Sequence, residues 1–341
     1  MGFTEQFLKK YFKGSFSESN SIIGLDIGSL FVKAISVERD KQQFTITGFC
    51  RHKVEANKLS DTVKDALASI PTKKKEICVS VSGQGVVLRY VNLPLMNKTE
   101  LEKSISFEIE KYIPFPVSEI YFDFYILREN RNASKMLVLF AAAKKEVVDS
   151  RIKLCKELGY QVISVDIDSV ALANYFEKIH GVGEGVYAVI NIGASFTLLD
   201  VIEDGVLVLS REINVGGNDF YKAIVEHLGK DAQDMEALVK GGFKQDTAPI
   251  IEEVLNNLIN GIKISFDFYE CSANRVLDKV FITGGAIIIP GLIDFLKHSF
   301  DQEICRIVPA ENSFKIAASL KRDDFIKEAD FFSIASGMVL R

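Results

Sequence analysis

Asp26 stands in Gly24-Leu25-Asp26-Ile27-Gly28-Ser29, an apolar run that ends in Asp-x-Gly-Ser and enters a second apolar run at Val32. A strand, tight turn and strand of this kind sets backbone N–H groups beside a carboxylate. Glycine lets a phosphate approach the backbone, and the N–H groups donate to it. The Asp26 carboxylate would hold a hydrated Mg²⁺ that offsets the phosphate charge. Lys33, on the second run, is either a phosphate ligand or a solvated strand charge. Taken alone, the motif also describes a plain hairpin with a turn carboxylate.

The pattern returns 165 residues later as Asn191-Ile192-Gly193-Ala194-Ser195. Gly28 falls on Gly193, Ser29 on Ala194, Val37 on Ile202 and Glu38 on Glu203, while Asp26 falls on Asn191. A repeat of this length predicts two similar lobes, and the cleft between lobes is where a ligand binds. A third element, Val280-Phe281-Ile282-Thr283-Gly284-Gly285, reads as a buried strand running into bare backbone. A flat base or a ribose fits against such a Gly-Gly step. Other phosphate signatures fail, since no GxGxxG follows a strand and no GxxxxGK[ST] occurs.

The elements that carry these turns alternate between strand and helix. Strands are expected at Ile22–Ile27, Val32–Val37, Phe44–Phe49 and Ile77–Val81, with a helix at Asp61–Ile70. The second set is Tyr187–Ile192, Phe196–Ile202 and Val206–Glu212, turning at Glu203-Asp204-Gly205. Between them lies an inserted module, residues 88–164, with strands at Ile120–Leu127 and Met136–Ala143. Its helices are expected at Lys98–Tyr112 and Lys144–Leu158, the first followed by the break Ile113-Pro114-Phe115-Pro116. Ile113, Phe115 and Pro116 are either core or part of a groove for an extended peptide. Further helices are expected at Asp219–Leu228, Gln233–Lys240 and over residues 250–270. Asp166 and Asp168 are read as the cap of a helix joining the two halves, with the positioning of a water as the alternative.

Composition narrows the function. A net charge of -5 over 341 residues gives no long-range attraction to nucleic acid. Five scattered cysteines without CxxC spacing argue against a disulfide framework or a zinc site and fit a reducing cytoplasm. No signal peptide or membrane span is expected. Residues 1–20 read as a basic amphipathic helix, with Phe3, Phe7, Leu8 and Tyr11 beside Lys9, Lys10 and Lys13, followed by a Ser-rich linker. That helix would lie on an anionic membrane surface, dock on a partner or pack on the body.

The order of these motifs resembles the actin/Hsp70/FtsA superfamily, and the details resemble the PilM family of type IV pilus assembly. The resemblance covers residues 21–341 and rests on several segments. These are Asp26-Ile27-Gly28-Ser29 with Lys33, Tyr112-Ile113-Pro114-Phe115-Pro116, Asp166 to Asn174, Arg211-Glu212 with Gly216-Gly217, Gly284-Gly285, and Ile334-Ala335-Ser336-Gly337-Met338. It implies an α/β, bilobed actin-like fold with an FtsA-type inserted subdomain. The first lobe (1A) would comprise 21–87, 165–184 and 325–341, with 88–164 as subdomain 1C. The second lobe (2A) would comprise 185–217 and 262–324, with 218–261 as subdomain 2B.

The resemblance also implies ATP or ADP with Mg²⁺ in the cleft. Asp26, Gly28, Ser29, Lys33, Gly193, Ala194, Ser195, Gly216, Gly217, Glu236, Lys240, Gly284 and Gly285 would bind it. The implied partners are the cytoplasmic tail of a PilN-like protein, the PilN/PilO complex and pilus motor ATPases, at the cytoplasmic face of the inner membrane. Leu30 and Phe31 stand where that family has hydroxyl residues, Asn191 where it has Asp, and Phe196 and Tyr221 where it has threonine. The lost carboxylate should reduce hydrolysis more than binding, so at most weak ATPase activity is expected. The alternatives are an FtsA-like filament protein and an active ATPase or sugar kinase. FtsA carries a C-terminal membrane helix that this sequence is not expected to have, and no sugar pocket is identifiable.

Overall fold

A computed structural model describes residues 21–40, 43–72, 74–228, 248–310 and 313–340. The expected helices within residues 1–20 and at Gln233–Lys240 lie outside them.

Apolar alternation folds the first repeat into β1 (Ser21–Ile27), β2 (Phe31–Asp40) and β3 (Gln43–Lys53), an antiparallel meander. Helix α1 (Leu59–Ala68) crosses back and β4 (Glu76–Val81) enters parallel to β1. The sheet is completed by β8 (Gln161–Ile167) beyond β4 and by a two-residue strand, β14 (Lys315–Ile316), beyond β3. The second repeat gives β9 (Val186–Ile192), β10 (Thr197–Glu203) and β11 (Val206–Ile213), again antiparallel. Parallel strands β12 (Lys279–Thr283) and β13 (Glu303–Arg306) extend that sheet.

Helices α5 (Gly217–Leu228), α6 (Ala248–Ala273) and α7 (Leu292–Ser299) pack on the second sheet. Ile251, Leu255, Leu258, Ile262 and Phe266 share one core cluster with Ile190, Leu199 and Val280 of the sheet. A third sheet, in the order β5 (Val86–Pro94), β7 (Lys135–Lys144), β6 (Ile120–Asn130), is backed by α2 (Lys98–Ile109). An Asn97–Glu100 capping box starts α2.

Sheet and core membership corrects three expected boundaries. β14 belongs with the first sheet, although residues 262–324 are expected in the second lobe. Helix α6 runs unbroken through the expected division at 261/262. Helix α3 (Lys145–Glu157) buries Val148 and Cys155 in the first-lobe core, so the inserted module closes at Lys144 rather than at 164.

Two helices join the lobes, α4 (Asp168–His180) and α9 (Ser333–Val339), the latter preceded by α8 (Arg322–Glu328). They cross within a core cluster that also holds Phe176, Phe325, Phe332 and Leu198, from both lobes. Each fully buried phenyl there contributes about 1.5–3 kcal/mol of transfer free energy. Gly337 sets the crossing distance, since a Cβ on it would lie 1.7 Å from the Ala171 carbonyl oxygen. α9 also lies against β1, where a Cβ on Gly24 would lie 2.2 Å from the Ala335 carbonyl oxygen.

Candidate functional site

The two repeated turns have the same geometry. Gly28 N donates to Phe31 O at 3.1 Å, and Gly193 N donates to Phe196 O at 3.0 Å, each pair 165 residues from its copy. Both turns face one cavity of about 810 Å³ between the lobes, which Gly284 and Gly285 at the end of β12 also line. Gly284 has φ +103, and a Cβ on it would lie 2.4 Å from Ile192 O, so glycine alone fits that step. Across the mouth, Ser195 Oγ donates to Ser29 Oγ at 2.7 Å.

Strand register places the charges. Asp26 lies directly opposite Lys33 in the β1–β2 ladder, and Lys33 Nζ donates to Asp26 Oδ2 at 2.5 Å. The matching pair on the second lobe is Asn191 opposite Leu198, so the second turn has no ion pair of its own. Asn191 Nδ2 donates to Ser333 Oγ at 3.1 Å. Arg151, which donates to Ile27 O at 3.3 Å, and Lys53 add cations to the first-lobe wall. Arg51 also lines the cavity, with its guanidinium stacked between Phe31 (4.9 Å) and Phe331 (4.4 Å) and its Nε donating to Glu328.

Asp168 corrects the reading of a helix cap. It is the first residue of α4, Ile167 holds the cap position without a side-chain bond, and Asp168 lines the cavity. Burial, then the neighbouring Asp26 charge, pushes its carboxyl up to about 6, against hydrogen bonds from Ser80 and Ser82. On the opposite rim, Asp330 pairs with Arg306 and its backbone carbonyl accepts from Gly284 N at 3.2 Å.

Asp26, Gly28, Ser29, Lys33, Gly193, Ala194, Ser195, Gly217, Gly284 and Gly285 therefore share one cavity. Gly216 does not line it. It packs behind the second turn, where a Cβ on it would lie 2.5 Å from Ala194 O. Glu236 and Lys240 lie outside the described residues. Of the three partner candidates, Ile113 is 5% exposed and belongs to the core of the inserted module, which overturns a contact role for it. Phe115 is half-buried under the Lys144 ammonium and Pro116 is exposed.

Sequence reasoning missed Arg51, Lys53, Arg151 and Asp330 as lining residues, because none lies within a motif. It could have found the Asp26–Lys33 pair, since the two stand symmetrically about the turn.

The cavity's size and its three glycine-bearing walls fit a nucleotide. The donors fit a divalent metal poorly. Asp26 is engaged by its cross-strand lysine, the neighbouring Asp168 is buried and accepts from Ser80 and Ser82, Asn191 supplies an amide opposite, and no group of three or more His, Cys, Asp or Glu is placed to hold a metal among the described residues.

Among solved structures, the chain is similar to a PilM-PilN type IV pilus biogenesis complex, at 22% identity and TM-score 0.83, covering 94% of this chain and 98% of that one. It is also similar to the ethanolamine utilization protein EutJ from Carboxydothermus hydrogenoformans, at 12% identity and TM-score 0.54, covering 92% and 89%. The fold is thus bilobed, as the repeat predicts, and actin-like, as the resemblance implies. The model of the family "Type IV pilus assembly protein PilM" matches residues 24–341, and the chain belongs to that family.

Proposed function

We propose that this protein is an actin-like, nucleotide-binding scaffold of type IV pilus assembly that holds the cytoplasmic tail of a PilN-like inner-membrane protein. The observation that carries this reading is the near-complete likeness to the PilM-PilN complex in a chain of the same family. The protein would then act at the cytoplasmic face of the inner membrane, beside the PilN/PilO complex and the pilus motor ATPases. No helix among the described residues is long and apolar enough to cross a membrane, which fits recruitment through a partner. Phe115 and Pro116, on the inserted module, are the residues we assign to the tail.

The cleft between the repeats is the nucleotide site in this reading. Leu30, Phe31 and Phe196 bring apolar side chains to its walls where hydroxyls would donate, so binding is weakened. The second-lobe turn carries an amide instead of a carboxylate, and catalysis of hydrolysis is weak for that reason.

Immobilised full-length protein, offered a synthetic PilN-like cytoplasmic tail and a scrambled control, tests the partner. Selective capture of the tail supports the proposal. Equal recovery of both peptides contradicts it.

A further inference from the structure

Lys33 and Asp26 are held together by strand pairing rather than by two flexible side chains meeting at a surface. They face each other in the β1–β2 ladder, and their side chains are only 17% and 8% exposed. A divalent ion at Asp26 would have to displace an ammonium that the register keeps in place, leaving the partly buried Lys33 only the neighbouring Asp168, whose carboxyl is already engaged by Ser80 and Ser82. Opposite, the ion would meet Asn191, an amide already donating to Ser333. The second-lobe turn Gly193-Ala194-Ser195 has no charged side chain, whereas Lys53 and Arg151 line the same wall as Lys33.

Resting on the reading of the cleft as a nucleotide site, we propose that Lys33 stands in for the divalent cation. The ligand's phosphates are met by the Lys33 ammonium, with Arg151 and Lys53 beside it, and binding needs no metal ion. A compact ammonium with three donors can serve Asp26 and a phosphate oxygen together, which a metal-free site requires.

The test is titration of a fluorescent ATP analogue into the full chain, in EDTA and in excess Mg²⁺. Affinities within about twofold of each other are expected, because no bridging ion is lost. Lys33→Gln should weaken binding about tenfold or more in both buffers, the value of one charge-assisted hydrogen bond, while Lys33→Arg keeps most of it. Since Lys33→Gln leaves Asp26 unpaired, the double variant Asp26→Asn/Lys33→Gln is measured beside it and should stay folded yet bind weakly. Saturable binding that appears only with Mg²⁺, or a Lys33→Gln protein that binds as well as the wild type, overturns the inference and leaves the nucleotide reading standing. No saturable binding in either buffer overturns both.

Discussion

Ser29 and Ser195 join the two lobes at the mouth of the cleft, Ser195 Oγ donating to Ser29 Oγ at 2.7 Å. Each belongs to one of the two repeated glycine turns, so the turns face each other across a gap that one hydrogen bond spans. Side chains already in contact across the gap meet the first requirement of a disulfide, whose sulfurs must close to about 2 Å. Ser29→Cys/Ser195→Cys, in a Cys271→Ser background that removes the exposed thiol, should therefore cross-link on oxidation. The oxidised protein is expected to exclude a fluorescent ATP analogue and the reduced protein to admit it, read by fluorescence anisotropy.

The crossing of α4 and α9 is set by Gly337, so enlarging it should force the joining helices apart. Gly337→Ala is expected to cost about 2–3 kcal/mol, because the methyl would collide with the Ala171 carbonyl of the facing helix backbone. Because the surrounding cluster holds residues of both lobes, one cooperative transition at a lower Tm is expected in calorimetry. A Gly337→Ala protein with unchanged Tm would contradict this.

Arg128 ties the inserted sheet to the second lobe. Its guanidinium donates to the Glu203 carboxylate and, at 2.9 Å, to the Glu203 backbone carbonyl, while Arg275 and Tyr269 bond the same carboxylate. Burial works against ionisation of Glu203, yet the hydrogen bonds from Tyr269 and Arg128 hold its pKa below the usual value. A depressed carboxyl stabilises the fold above its unfolded pKa, and that contribution is lost as pH falls through the folded value. Arg128→Ala should cost about 1–2 kcal/mol at neutral pH, with the difference from wild type shrinking in acid. Amide exchange in β6 should quicken in the variant at neutral pH.

Asp200 behaves in the opposite sense. It is wholly buried on β10 beside Ser169 and Ser210, whose hydroxyls bond each other at 2.6 Å, and no cation or well-formed hydrogen bond among the described residues holds its carboxyl oxygens. Burial lifts its pKa well above the usual range, with Asp168 adding to the effect and Ser210 and Ser169 opposing it. A raised carboxyl stabilises the fold fully below its unfolded pKa, and that stability is lost as pH rises through the folded value. Asp200→Asn should therefore melt higher than wild type at neutral and alkaline pH, by a margin that narrows toward pH 4. A lower Tm for Asp200→Asn at pH 8 would contradict this assignment.

The repeat was legible because its signals are local. Alternating strands on either side of an Asp/Asn-x-Gly turn occur twice at one spacing, and the Gly-Gly strand end follows from the same logic. β14 was not, because a two-residue strand is defined by its distant partner, Thr45–Ile46, rather than by its own pattern. The surroundings of Asp168, which decide between a cap and a site role, were hidden for a similar reason. A carboxylate at a helix start looks like a cap until Ser80, Ser82 and Asp26 are folded beside it. The Arg128–Glu203 pair joins residues 75 apart and leaves no trace in either segment.

Amide hydrogen exchange of the full chain with and without saturating ATP tests the shared cleft most directly. The account predicts slowed exchange at three segments together, Asp26–Ser29, Gly193–Ser195 and Gly284–Gly285. Protection confined to one of the three, or to segments away from the cleft, would contradict it.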